Sequence, residues 1–223
     1  MTAAGPHLLD LLDDQERHRH AAYVRAGDRA RFVVAHALTR IVAGHHAATA
    51  PRAVRYVRTI KTYEKPRFGA AAAALEFSIS HSGACILVAI SRAVALGVDV
   101  ERVTPTGPDA SLVASVLGTT EQQAVMALPA TARPWAFCRY WTRKEAVLKA
   151  TGDGLQVSPA RIAVTAPGSA PALVRWSGPD RPAIAVHLHD LDAPPGYAAA
   201  LATLAERVEC TAHDGSALLQ AAA

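Results

Sequence analysis

Two short stretches restrict the folds open to this chain. The first is Gly97-Val98-Asp99-Val100-Glu101. Val94, Leu96, Val98 and Val100 make one apolar strand face, while on the other face Ala95 and Gly97 give way to two acids. Successive strand side chains point to opposite sides, so both carboxylates share one side of a sheet. The second stretch, Trp135 to Ala150, has helical periodicity. Cys138, Trp141, Glu145 and Leu148 fall on one face, which puts Glu145 in the middle of an apolar stripe. A carboxylate there is costly unless it is paired or ligates a metal. A blander reading exists for each stretch. Asp99 and Glu101 also suit the wet side of a half-exposed strand. Glu145 and Lys149 also suit an i,i+4 pair, but such a pair contributes only about 0.3–0.5 kcal/mol and gives little reason to bury an acid.

If Asp99, Glu101 and Glu145 meet in one pocket, like charges raise one another's pKa and the cluster needs a cation. Oxygen ligands alone select a hard ion, Mg²⁺ or Mn²⁺. Mg²⁺ keeps water and substrate phosphates in its shell, so the expected ligand is a phosphoanhydride. The basic groups expected to meet it are Lys65, Lys144, Lys149, His81 and Arg31. Ser80, His81, Ser82 and Gly83 together offer hydroxyls, an imidazole and backbone N–H groups to an oxyanion.

Along the chain, Leu8 to Ala26 reads as a helix, and Asp28 as the cap of a second running to Ala47. Strands are expected at 54–58, 77–81, 85–90 (buried) and 94–101. Thr104-Pro105-Thr106-Gly107-Pro108 is the best linker. Helices follow at 111–128, broken near Gly118, and at 135–150, stopped by Gly152. Further strands are expected at 161–165, 172–176, 184–188 and 197–203, with a frayed tail after Thr211. Each half reads helices first, then strands. The expectation is α+β, with two similar halves at 1–103 and 104–223.

A net charge of +4 suits an anionic ligand or an acidic partner. No basic run with interleaved aromatics supports nucleic-acid binding. Cys85, Cys138 and Cys210 are widely spaced and read as reduced core thiols of a cytoplasmic protein. The N-terminus lacks a basic leader region and no apolar run is long enough to span a bilayer, so no membrane association is expected.

Taken in order, Tyr63-Glu64-Lys65-Pro66, Phe77-Ser78-Ile79-Ser80-His81-Ser82-Gly83, Gly97 to Arg102, Trp141 to Lys149 and Gly152-Asp153-Gly154-Leu155 resemble the Sfp-type 4′-phosphopantetheinyl transferases. The resemblance implies a pseudo-two-fold pair of α+β halves with coenzyme A at their interface, acting as a monomer. It implies Mg²⁺ on Asp99, Glu101 and Glu145. It implies coenzyme A phosphates against Lys65, Ser80 and His81, with Lys149 on the phosphate bridge. Arg31, then Arg25, then Arg19 are the candidates for the 3′-phosphate. The implied reaction moves the phosphopantetheine arm of coenzyme A onto a serine of an acyl or peptidyl carrier protein, releasing 3′,5′-ADP, with Glu145 as base and Lys149 offsetting leaving-group charge. Polyketide or nonribosomal peptide carriers are expected, with a fatty-acid carrier as an alternative. The rival readings are a Mg²⁺-dependent nuclease or phosphodiesterase and a coenzyme A- or carrier-binding module without turnover. The first would cleave DNA without coenzyme A. The second would bind a carrier and form no product.

Overall fold

The computed structural model describes residues 6–58, 65–177, 185–205 and 208–221. Tyr63 and Glu64 of the Tyr-Glu-Lys-Pro motif lie outside them.

The first expected helix is two: α1 (Pro6–Leu9) and α2 (Asp14–Ala22). Asp13 separates them. Its side chain accepts from the Glu16 N–H, and the Glu16 side chain accepts from the Asp13 N–H, a reciprocal cap that starts a new helix. Helix α3 (Ala26–His46) starts with Arg25, not Asp28, at its N-cap. Asp28 sits inside the first turn, where an acid suits the positive helix end, and pairs with Arg31.

Strands β1 (Tyr56–Val57) and β2 (Arg67–Phe68) pair antiparallel. Next comes an antiparallel hairpin of β3 (Leu75–Ser82) and β4 (Cys85–Arg92), turning through Gly83 at φ +55°. β4 is half-buried along most of its length rather than the buried strand expected. β5 (Leu96–Arg102) carries the acid pair.

Helices α4 (Ala110–Val116) and α5 (Thr119–Met126) break at Gly118, and α6 (Arg133–Thr151) stops at Gly152, whose φ of +82° is the left-handed conformation glycine tolerates. Then follow β6 (Ile162–Val164), β7 (Leu173–Trp176), β8 (Val186–Asp190) and β9 (Tyr197–Leu204). The expected fraying after Thr211 is corrected by α7 (Gly215–Ala221). This helix lies on α3 and brings Leu219 against Leu8, Leu12 and Phe32. Of its two leucines only Leu219 joins the cluster; Leu218 is exposed.

The molecule is α+β. Its central sheet has the order β5-β9-β8, fully antiparallel, with β5 at an edge. β5 precedes the linker and β9 ends the chain's last sheet, so the segments 1–103 and 104–223 share this sheet. Helix α6 packs across β5 and β9. Ala198, Ala200 and Ala202 of β9 are fully buried, so the alanine-rich composition is used where helix and sheet approach. At Gly97 the approach is closest: a Cβ there would lie 2.1 Å from the Ala146 carbonyl oxygen. The α6 backbone fills the side of β5 that Gly97 leaves bare.

Among the described residues no helix is long and apolar enough to cross a membrane. All three cysteines are free, but only Cys138 is in the core; Cys85 is half-buried and Cys210 exposed.

Candidate active site

The free edge of β5 organises the site. The backbone groups of Val98, Val100 and Arg102 on that edge do not meet another strand's backbone; side chains satisfy them instead. The N–H groups of Val98, Val100 and Arg102 donate to the hydroxyls of Ser78, Ser80 and Ser82 at 3.0, 3.3 and 3.0 Å. The Leu96 carbonyl accepts from Lys65 Nζ at 2.7 Å, and the Val98 carbonyl accepts from Lys149 Nζ at 3.1 Å. An edge strand left bare would be a template for mispairing, and buried backbone groups need partners. Here the capping side chains come from the expected site motifs.

Two of these serines also hold the acids. Ser80 Oγ donates to Asp99 Oδ1 and Ser82 Oγ donates to Glu101 Oε2, both at 2.7 Å. Lys149 Nζ lies 2.7 Å from Asp99 Oδ1 and so pairs across the fold, not with Glu145 one turn away on its own helix. Asp99 Oδ2 and Glu145 Oε1 are buried without a hydrogen-bond partner. Burial pushes the Asp99 carboxyl up, against the pull of Lys149 and Ser80. Burial also raises Glu101 and Glu145; the Asp99 charge raises both further, and Glu101 raises Glu145. The Asp99 charge thus reaches both Glu101 and Glu145, and the Glu101 charge reaches Glu145, across the β5–α6 contact.

Among the described residues, no group of three or more His, Cys, Asp or Glu side chains is arranged to hold a metal ion. The donor chemistry nevertheless fits a hard divalent cation. Two buried carboxylate oxygens lack partners, and among the described residues Lys149 is the one cation within hydrogen-bond reach of Asp99.

Beside the acids lies a cavity of about 370 Å³, lined by Arg19, His36, Arg58, Lys65, His81 and Lys149 among apolar walls that include Phe32, Tyr56, Phe77 and Leu148. This basic, aromatic-walled space suits an anion attached to a flat ring. Burial pulls the Lys65 ammonium down to about 8, with Glu76 opposing. His81 is lowered from its ordinary value by burial and then by the nearby Arg31 charge.

The structure thus brings Lys65, His81 and Lys149 to the cavity wall. It does not bring Ser80, Lys144, Arg31 or Arg25 there. Ser80 is buried and committed to Asp99 and β5. Lys144 is fully buried inside the C-terminal part. Its three donor positions are taken by the Val116 and Pro159 carbonyls and the Glu121 carboxylate. Arg31 donates to the Gly83 carbonyl at 3.0 Å and pairs with Asp28, tying α3 to the hairpin turn. Arg25 is exposed at the start of α3 and does not line the cavity. Arg19, the third choice, does line it. Of the oxyanion group expected at Ser80 to Gly83, the two serine hydroxyls are committed to β5 and its acids, while the His81 imidazole lines the cavity; the neighbouring Ala84 N–H donates to the Tyr197 hydroxyl at 2.9 Å.

One cluster behind the cavity is not readable from motif spacing. Glu16 is fully buried. Arg40 Nη2 lies 2.8 Å from it, His36 Nδ1 2.8 Å and Arg58 Nη2 3.0 Å. Burial pushes its carboxyl up, but hydrogen bonds and charge from His36 and Arg40 outweigh that and hold it at about 2. Arg40 and Arg58 also stand over the Tyr56 ring, at 4.5 and 5.2 Å from its centroid. The signal in the sequence was Arg40 among the apolar positions of α3.

The sequence is similar to those of known proteins. Residues 95–202 match the family model of the 4′-phosphopantetheinyl transferase superfamily. That span holds Asp99, Glu101, Glu145 and Lys149. The chain is 32% identical over 150 residues to 4′-phosphopantetheinyl transferase HetI of Nostoc sp., covering 66% of this chain and 62% of that one. It is 29% identical over 151 residues to the putative 4′-phosphopantetheinyl transferase slr0495 of Synechocystis sp., covering 67% and 61%. The chain therefore spans about three fifths of the length of these relatives. A partial structural likeness, TM-score 0.38 at 20% identity, covers 51% of this chain and 65% of the holo-[acyl-carrier-protein] synthase of Thermotoga maritima.

Proposed function

We propose, on the match of residues 95–202 to the 4′-phosphopantetheinyl transferase superfamily, that the chain is a member of it and transfers the 4′-phosphopantetheine arm of coenzyme A to a serine of a carrier protein. The carrier serine Oγ attacks the β-phosphorus of coenzyme A. The bond from that phosphorus to the bridging oxygen breaks, and 3′,5′-ADP leaves. The observation that carries this reading is the acid group of Asp99, Glu101 and Glu145 beside a cavity lined with cations.

Each residue has a role that follows from its surroundings. Burial makes Glu145 a stronger base than an exposed carboxylate, and its unpartnered Oε1 is free to accept the serine proton. Lys149 offsets charge on the leaving phosphate. Lys65 and Arg19 hold the phosphates of coenzyme A, and His81, lowered from its ordinary value by burial, lines the same cavity. Asp99, Glu101 and Glu145 are the residues that would hold Mg²⁺, which when bound would neutralise the pyrophosphate and offset leaving-group charge. Positioning and electrostatics supply most of the rate in such transfers. Acyl and peptidyl carriers of polyketide, nonribosomal peptide or fatty-acid assembly are the substrate class. The cytoplasm, where coenzyme A is made, is the compartment, and a monomer suffices.

The direct test is to incubate the protein with coenzyme A, Mg²⁺ and an apo carrier domain and to weigh the carrier. A mass gain equal to the arm, absent without Mg²⁺, is the expected result. No gain across carriers of two different pathways rejects the proposal. DNA cleavage under Mg²⁺ without coenzyme A would point instead to a nuclease.

A further inference from the structure

The hydroxyls of β3 form a ladder that does more than join two strands. Ser78, Ser80 and Ser82 project from one face of β3 at the two-residue period, onto an edge of β5 that has no strand partner there. Each Oγ accepts a backbone N–H from β5: Val98, Val100 and Arg102. Each hydroxyl then has one proton left to give. At the second and third rungs it goes to a carboxylate, Ser80 to Asp99 Oδ1 and Ser82 to Glu101 Oε2, both at 2.7 Å. At the first rung the corresponding β5 residue is Gly97, where α6 crosses too closely for any side chain. The β5 backbone thus fixes the position of each oxygen, and the proton fixes which carboxylate oxygen it binds. For Asp99 the consequence is explicit. Oδ1 is held by Ser80 and Lys149, whereas Oδ2 is buried without a partner.

We propose that Ser80 and Ser82 are positioning residues that clamp one oxygen each of Asp99 and Glu101 and so present the second oxygen to a divalent cation. The proposal rests on the reading of these acids as the cation site. The clamp is stiff because each serine is bonded on both sides. A free carboxylate would lose rotamer freedom on binding an ion; a clamped one has lost it already. Partners that orient ligating carboxylates typically change metal affinity by about ten- to hundred-fold when removed.

The test uses the full chain with Mn²⁺ as a paramagnetic probe, its free concentration read by electron paramagnetic resonance, with and without coenzyme A. Ser82→Ala is the first variant, because Ser82 is only half-buried at the strand's end. Its Mn²⁺ affinity should fall by about ten-fold or more, while coenzyme A affinity in EDTA and the melting temperature stay close to wild type. Ser82→Thr, which keeps the hydroxyl, should restore the Mn²⁺ affinity. Ser80→Ala should weaken Mn²⁺ likewise, and Ser80→Thr distinguishes loss of the hydroxyl from loss of folding. Alanine variants that bind Mn²⁺ as tightly as wild type overturn the clamp. A wild-type protein that binds no Mn²⁺ overturns it as well, and the carrier mass assay then reports separately whether the transferase reading survives.

Discussion

Asp99 carries two opposed demands. It is almost fully buried, which favours the neutral acid, and it is paired with Lys149 and Ser80, which favour the anion. Asp99→Asn keeps the shape and removes the charge. Turnover in the carrier mass assay should fall by about a hundred-fold or more, with unfolding free energy within about 1 kcal/mol of wild type by urea denaturation. An unchanged rate would remove Asp99 from the reaction. Lys65 gives a pH prediction. Its ammonium titrates near 8 in the folded protein, below its ordinary value of 10.5. Because the unfolded chain binds the proton more tightly, this group lowers stability while it is charged below about 8, and stability recovers as pH rises from there toward 10.5. Phosphate binding needs the charged form. Calorimetric affinity for coenzyme A should therefore fall as pH rises through about 8, and Lys65→Arg should flatten that fall because arginine stays charged. Equal slopes in the two proteins would exclude Lys65 as the titrating contact.

At the scale of elements, the crossing of α6 over β5 sets the distance between Glu145 and the strand acids. Gly97 permits it, since an added methyl would meet Ala146, Ala150 and Lys149 within 2.7 Å. Gly97→Ala should cost about 3 kcal/mol in urea denaturation by forcing helix and strand apart, and should lower turnover in the carrier mass assay. The helical period and the strand alternation disclosed both elements and the acids they carry. They did not disclose the crossing point, because a glycine's empty side could as well have held a ligand or solvent. Ser78, Ser80 and Ser82 show the same division. Their alternation was readable beforehand, yet their direction toward β5 rather than toward phosphate follows from which strand edge lacks a partner. Helices α2 and α3 add a second cluster, in which Glu16 of α2 meets Arg40 and His36 of α3. Arg40→Ala leaves the buried Glu16 with Arg58 and His36 alone and should destabilise by about 3 kcal/mol in denaturant titration. The Glu16 pairing itself gives stability that is complete above about pH 4.5 and is lost as pH falls toward 2.

Over the whole molecule, the chain's end returns to its beginning. Helix α7 puts Leu219 onto the α1–α3 cluster, so residues without motif support still contribute to the fold. Leu219→Asp should lower stability by about 1 kcal/mol, a shift of roughly 2–4 °C in melting temperature, and a variant that melts with wild type would show that α7 is idle. What the sequence by itself determined was local: period, caps at Gly118 and Gly152, the α+β class, and the residue types able to hold a hard cation and a phosphoanhydride. Those follow from neighbours within a turn or a strand. Only the tertiary structure decided which cations reach the cavity. Lys144, Lys149 and Lys65 are chemically alike in the sequence, but Lys144 points into the C-terminal core and meets Glu121, while the other two cap β5 beside the acids. A side chain's task depends on what long-range packing sets in front of it, and a charge that finds its partner inside the core has no donor left for a ligand.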